Sequence, residues 1–448
     1  MIYKNKKVLI IGLGISGRTA AKLLQAQGAC VHGIDRNEAS LNSEEVRFLK
    51  GMTTSLESDV RGPLNYDLVV ISPGVPSTNA VLIAAKQQGI EVIGEIELGC
   101  RLVKNRVLGI TGTNGKTTVT LLVEHVLNYC GHKARALGNV GIPFSEELIG
   151  LDPEVTIVLE LSSYQLETLS QRVLDGGVIL NITPDHLDRY PGMEEYAAAK
   201  MLMENCLKPG APLYIEDKTY HDFGYLLNQK PLRYGYSQDD DIYTDLKSVF
   251  QHGKVVFKLP EGLRGKQSHD VENIMGAFAL CAISGTGTFM NGITGEEFAE
   301  ALRSFEKPKH RIEFVLSRNG ICYYDDSKGT NIDAVIRAVE FLNGPIVLIA
   351  GGVDKGAPYT PWVEVFRNKV KCICAIGQAA AKMQSQLSHA IPVRIVSDME
   401  QAVREATAAA KEGGIVLLSP GCSSFDMFID YAHRGEVFQK EVKRLMHD

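Results

Sequence analysis

The seven residues Gly112-Thr113-Asn114-Gly115-Lys116-Thr117-Thr118 constrain this chain more than any other feature. They follow an apolar run, Val107-Leu108-Gly109-Ile110, that reads as a buried strand. They precede a segment, 119–127, whose apolar residues recur at helical spacing. In such a strand, glycine-rich loop and helix, backbone N–H groups and the positive helix end hold phosphate oxygens. Lys116 is placed to reach the outer phosphates and the Thr117 hydroxyl to bind Mg²⁺. The spacing departs from the standard phosphate loop: five residues separate Gly109 from Gly115, and Ile110 stands where the first glycine would be. An ordinary Gly-rich turn is the alternative; the flanking strand and helix favour a nucleotide site.

A length of 448 residues predicts about three domains. The chain is 45% hydrophobic and 22% charged, which suits a soluble globular protein. A formal net charge of −6 argues against a nucleic-acid-binding surface. No apolar run approaches the ~20 residues of a membrane span. The first residues lead straight into a strand, with no signal-peptide apolar region. The nine cysteines are scattered without a CxxC pair, which predicts a reducing cytoplasm, no disulfide framework and no zinc site. Cys372 and Cys374 alternate on a predicted strand and should share one buried face.

Strand-like and helix-like segments alternate almost throughout, the α/β pattern with mostly parallel sheets. Three domains are expected: 1–94, 95–307 and 308–448. Residues 214–259 are polar and rich in Tyr, Asp and Lys, and read as a small antiparallel appendage on the second.

Gly12-Leu13-Gly14-Ile15-Ser16-Gly17 follows the first strand and opens a helix, with Asp35 at the end of the next strand. Alone this is a dinucleotide-binding fingerprint with Asp35 placed for a ribose hydroxyl. The loop holding Ser72 and Gly74 also follows a strand and belongs at the same edge. Glu160 ends a strand in the second domain, where acidic residues hold Mg²⁺ beside phosphate loops. A plain strand-end carboxylate is the equal alternative. His186, in Asp185-His186-Leu187-Asp188-Arg189, follows the next strand and suits a metal ligand. Lys200 ends the helical run Tyr196-Ala197-Ala198-Ala199. On its residues alone it reads as solvated, though a partly buried lysine could react with CO₂. In the third domain, three polar loops follow strands: 325–331, 351–356 and 419–426. Together they suit a carboxylate or phosphate ligand.

These residues resemble the Mur ligases, the ATP-dependent amide-forming enzymes of peptidoglycan synthesis. The matching blocks, in order, are 111–118, 159–167, 181–190, the Lys200 region, 269–273, His310-Arg311, 326–331 and 351–356. The blocks Glu160-Leu161-Ser162-Ser163-Tyr164-Gln165-Leu166-Glu167 and Asp326-Ser327-Lys328-Gly329-Thr330-Asn331, with the 418–426 segment, are similar to those of the D-glutamate-adding member.

The resemblance implies an N-terminal Rossmann-like domain, a central P-loop-type mononucleotide-binding α/β domain and a C-terminal Rossmann-like α/β domain. It implies a cytoplasmic monomer acting in cell wall biogenesis on UDP-N-acetylmuramoyl-L-alanine, D-glutamate and ATP, with Mg²⁺. Lys116, His186, Lys200 and Asp326 become the catalytic set. ATP would lie on Gly112, Thr113, Asn114, Gly115, Lys116, Thr117 and Thr118, with Asn273 and Arg311. Thr117, Glu160, His186 and a carbamylated Lys200 would hold Mg²⁺. The UDP-substrate would lie on Gly14, Ile15, Ser16, Asp35, Arg36, Ser72, Gly74, Asn139 and Ser162. Lys328, Thr330, Lys355, Ser424 and Tyr431 would hold the D-glutamate carboxylates. Three positions depart from the family pattern: Asp270 stands for the usual Asn, Gly329 for Ala and Tyr431 for the frequent Phe. The first Gly-rich loop, taken alone, also admits an NAD-dependent oxidoreductase, which leaves the second loop and third domain without a role.

Overall fold

A computed structural model describes residues 1–76, 78–140, 142–265, 267–283, 292–411 and 413–445. They form two compact units, one of 1–181 with 197–305 and one of 182–196 with 306–448.

The first unit holds two sheets. One has five parallel strands in the order Thr53–Leu56, Cys30–Asp35, Lys7–Ile11, Leu68–Ile71, Val92–Gly94. Val8, Leu9 and Ile10 of the central strand are fully buried, as a parallel strand covered on both faces requires. The chain leaves that strand in one direction and later returns on its other side. The loops after Ile11, Asp35 and Ile71 therefore open on one crevice.

The second sheet has nine strands, and the phosphate-loop strand Val107–Thr111 lies between Thr156–Glu160 and Gly176–Ile179. Glu160 is thereby set beside Ile110. The helices Lys116–Tyr129 and His269–Cys281 bury their apolar faces in the same core. Residues 214–259 are not the antiparallel appendage expected from their composition. Strands Leu213–Glu216, Leu232–Gly235 and Ile242–Thr244 continue the sheet in parallel, and only Ser248–Gln251 and Lys254–Lys258 add an antiparallel edge. Leu213, Tyr214, Ile215, Tyr234 and Ile242 are buried together with the polar Glu216 and Thr244, so average composition hid the core residues.

The second unit carries a six-stranded sheet in the order Glu313–Arg318, Ile321–Asp325, Ile415–Leu418, Ile346–Gly351, Val370–Ile376, Val393–Ile395. All pairs are parallel except the first. The loops after its three central strands lie at one edge. Cys372 and Cys374 are buried in the same cluster beneath it, as their alternation requires.

Candidate active site

Gly115 caps the helix Lys116–Tyr129 at φ 88, a conformation that favours glycine. A Cβ there would lie 2.2 Å from Asn273 Oδ1, so the site needs glycine twice over. Asn181, to which the sequence reading gave no role, staples the loop across the sheet. Its carbonyl accepts from Thr113 N at 2.7 Å and its side-chain oxygen from Asn114 N at 3.0 Å. Its amide returns a bond to Asn114 O at 3.1 Å. Lys116 Nζ folds onto the loop, donating to Gly112 O at 2.9 Å and Thr113 O at 2.8 Å.

Lys200 is only 2% exposed, which corrects its reading as a solvated lysine. Its Nζ donates to Gly112 O at 2.8 Å. The helix Met193–Met201 turns its small and apolar residues inward, and Lys200 follows them.

Glu160 is 1% exposed. One carboxylate oxygen accepts from Asn139 Nδ2 at 3.0 Å, and the other is buried with no partner among the described residues. A buried carboxylate with an open oxygen requires a cation or a donor. With the Thr117 hydroxyl in the first turn of the helix that follows the phosphate loop, this oxygen-rich set fits Mg²⁺. Ser162 caps the short helix Ser163–Leu166 in a reciprocal capping box with Gln165, so its hydroxyl also serves the fold. Gly141, in the segment holding Asn139, lies outside the described residues.

In the N-terminal sheet a cleft of about 430 Å³ is lined by Gly14, Ile15, Ser16, Asp35, Arg36, Ser72 and Gly74. Asn139 and Ser162 do not line it. Asp35 accepts from Leu13 N and Asn37 N, each at 2.8 Å, and Ser72 Oγ donates to Gly12 O at 2.8 Å. A Cβ at Gly17 would lie 1.9 Å from Gly12 O, so helix and turn approach as closely as glycine permits. Glu57 and Asn79, bonded to each other at 2.8 Å, add to the wall; nothing in their spacing marked them.

In the second unit, Lys355 Nζ lies 3.0 Å from Asp185 Oδ1, and Asn331 Nδ2 donates to Asp185 Oδ2 at 3.3 Å. The cation is thus built to receive a carboxylate. Lys328 Nζ sits 3.7 Å from the centre of the Tyr431 ring, a cation–π contact. Ser424 is buried and Thr330 half-buried on neighbouring loops. Arg434, absent from the sequence reading, ties two of these loops together. It is 1% exposed and donates to Ser327 Oγ, Ser327 O and Cys422 O at 3.0, 2.9 and 3.1 Å. Burial lowers its pKa to about 10. An arginine in an amphipathic helix ordinarily reads as solvated, so no local signal identified it.

Burial pushes the Asp326 carboxyl up to about 7, against the Ser419 hydroxyl bonded to it at 2.6 Å and the charge of Arg311. A Cβ at position 329 would lie 2.4 Å from Asp326 Oδ2 and 2.8 Å from Ser419 Oγ. Gly329 in place of the family's alanine therefore leaves room for this folded arrangement. His186, with φ 56, belongs to this second unit, and its Nε2 lies 3.6 Å from Asp185 Oδ2.

Family models match in three stretches: a Mur ligase MurD-like N-terminal domain at 6–94, a Mur ligase middle domain at 110–281 and a Mur ligase glutamate ligase domain at 310–422. A UDP-N-acetylmuramoylalanine–D-glutamate ligase of Protochlamydia amoebophila is 52% identical over 99% of both chains. The chain belongs to the Mur ligase family. A ligase of the same name from Alkaliphilus metalliredigens is 36% identical, again over 99% of both chains. Among solved Mur ligases, the UDP-N-acetylmuramate–alanine ligase MurC of Thermotoga maritima aligns with a TM-score of 0.61 at 18% identity, covering 98% of this chain and all of that one. MurF of Thermotoga maritima, solved with ADP, gives 0.57 at 15% identity over 98% and 96% of the two chains. At these identities the structures speak for the three-domain Mur ligase fold alone.

Proposed function

We propose that this chain is an ATP-dependent, ADP-forming ligase that joins D-glutamate to UDP-N-acetylmuramoyl-L-alanine in cytoplasmic peptidoglycan precursor synthesis. The 52% identity with a ligase of that name, end to end, carries the reading. The domains are taken as 1–94 for the UDP-substrate, 95–307 for ATP and 308–448 for the amino acid, in a monomer.

A carboxylate is a poor electrophile, so the L-alanine carboxylate is first phosphorylated by ATP. The D-glutamate amine then attacks the acyl phosphate, phosphate leaves, and an amide remains. The backbone of 112–118 and the ammonium of Lys116 cradle the ATP phosphates and offset charge as the terminal phosphoryl moves. Asn273, Arg311 and Asp326 take the rest of the nucleotide. Mg²⁺, held by Thr117 and Glu160, with His186 and a carbamylated Lys200 for a second ion, supplies further charge neutralisation when bound. A carbamate would keep one N–H on Nζ, enough to preserve the bond to Gly112 O. Lys328, Thr330, Lys355, Ser424 and Tyr431 orient D-glutamate through its carboxylates; Asp185 on Lys355 marks one anion position. The first Gly-rich loop takes the UDP group, with Asn139 and Ser162 further along the same substrate.

Phosphate release from ATP with UDP-N-acetylmuramoyl-L-alanine tests the reading, with D-glutamate, L-glutamate, L-lysine and meso-diaminopimelate in turn. D-glutamate alone should support release. Release with another amino acid instead would overturn the assigned amino acid, and release with none would overturn the ligase reading.

A further inference from the structure

The bend at 310–312 joins three observations that the proposed chemistry does not use. His310 and Ile312 hold φ 61 and φ 49, left-handed conformations rare for side-chain-bearing residues and most unusual for a β-branched one. Between them sits Arg311, whose Nε is buried with no partner among the described residues. The Ile312 backbone N–H and the Arg311 charge both favour the ionised Asp326 carboxyl. Both groups read as nucleotide contacts therefore depend on one improbable turn.

The turn is held from outside by a residue that is neither of them. Asp325 is fully buried, and its Oδ2 lies 2.7 Å from His310 Nδ1. Gln439 Nε2 donates to the same oxygen at 2.9 Å, and Ser327 N donates to the other at 2.9 Å. His310 is closed in at its backbone as well: its N–H donates to Glu313 Oε2 at 2.8 Å and its carbonyl accepts from Lys328 N at 3.1 Å. Room for the pair comes from Gly435, where a Cβ would lie 2.2 Å from His310 Nδ1 and 2.7 Å from Asp325 Oδ2. His310, Glu313 and Asp325 together have the atoms of a metal site. The N–H donors already seated on both Asp325 oxygens favour an ion pair instead.

We propose that His310 is a positioning residue: its bond to Asp325 fixes the 310–312 bend, which presents Arg311 and the Asp326 carboxylate to the nucleotide. The Tyr431–Arg444 helix, through Gly435 and Gln439, is the wall against which the bend is set. The proposal rests on the reading of Arg311 and Asp326 as ATP contacts.

The test is ADP affinity by calorimetry on the full chain, with UDP affinity as the control. His310→Ala should weaken ADP by about tenfold, the loss of one charge-assisted bond. His310→Asn should stay within about threefold of wild type, because the Asn amide can stand at the Nδ1 position and Asn tolerates left-handed backbone. Because His310 acts through Arg311 and Asp326, adding His310→Ala to an Arg311→Ala, Asp326→Asn variant should cost little more than that variant alone. UDP affinity should be unchanged throughout. Additive losses, an Asn variant as weak as the Ala variant, or a parallel fall in UDP affinity would overturn the proposal. If His310→Ala does not fold, His310→Gln replaces it, since its longer side chain misplaces the amide. A wild type that binds ADP but releases phosphate with no amino acid would sink the ligase reading and leave this test intact.

Discussion

The chain contains the same turn twice, and the two copies are built for different work. Gly12–Gly17 and Gly112–Lys116 each follow a central parallel strand and open a helix, with glycine at positive φ at Gly12 in the first and at Gly112 and Gly115 in the second. Around the first, the neighbouring strand ends supply Asp35 and Ser72, which bond the turn's own backbone. Around the second they supply Asn181, which braces the loop, and Glu160, which keeps a buried oxygen open. Only the second turn carries its own lysine and draws another, Lys200, to its backbone. On the proposed reading, the turn selects a phosphate-bearing ligand, and the residues brought by neighbouring strands decide whether it is held or also transformed.

The sharpest way to break this comparison is Lys116→Ala. Turnover should fall by about a thousandfold or more, as for loss of a central electrostatic group, with thermal stability little changed. Steady-state kinetics with a melting curve checks both, and normal activity would remove the distinction between the turns. Lys200→Ala sharpens it further. Activity should be lost and partly restored by short carboxylic acids, since a free carboxylate can replace the carbamate oxygens; full activity without them would exclude the carbamate. The smallest effect is expected at the first turn. Ser72→Ala removes one bond to Gly12 O and should raise the KM for the UDP-substrate by a few-fold, roughly 1 kcal/mol, with kcat retained. A change in kcat instead would place Ser72 nearer the chemistry than its geometry does.

Both turns were legible in the sequence because their information is local: strand, glycines, lysine and helix lie within a few residues. Glu160 and His186 were legible as strand-end residues. What escaped was long-range. Asn181 braces a loop 67 positions away, and Arg434 grips Ser327 across 107. Neither has a sequence neighbour that betrays it, because tertiary packing alone decides whether an Asn or Arg is buried and bonded. Lys200 misled for the same reason: small neighbours show that a helix face packs, not that the lysine at its end follows them inward. The 214–259 stretch misled through its average polarity, which concealed strands buried along most of their length, polar residues such as Glu216 and Thr244 included.

The most direct test of the account is crossed nucleotide binding by calorimetry, ADP and UDP each titrated into wild type, Lys116→Ala and Arg36→Ala. The account predicts that Lys116→Ala loses ADP and keeps UDP, while Arg36→Ala weakens UDP and keeps ADP. Loss of both nucleotides in one variant, or ADP binding that follows Arg36, would contradict it.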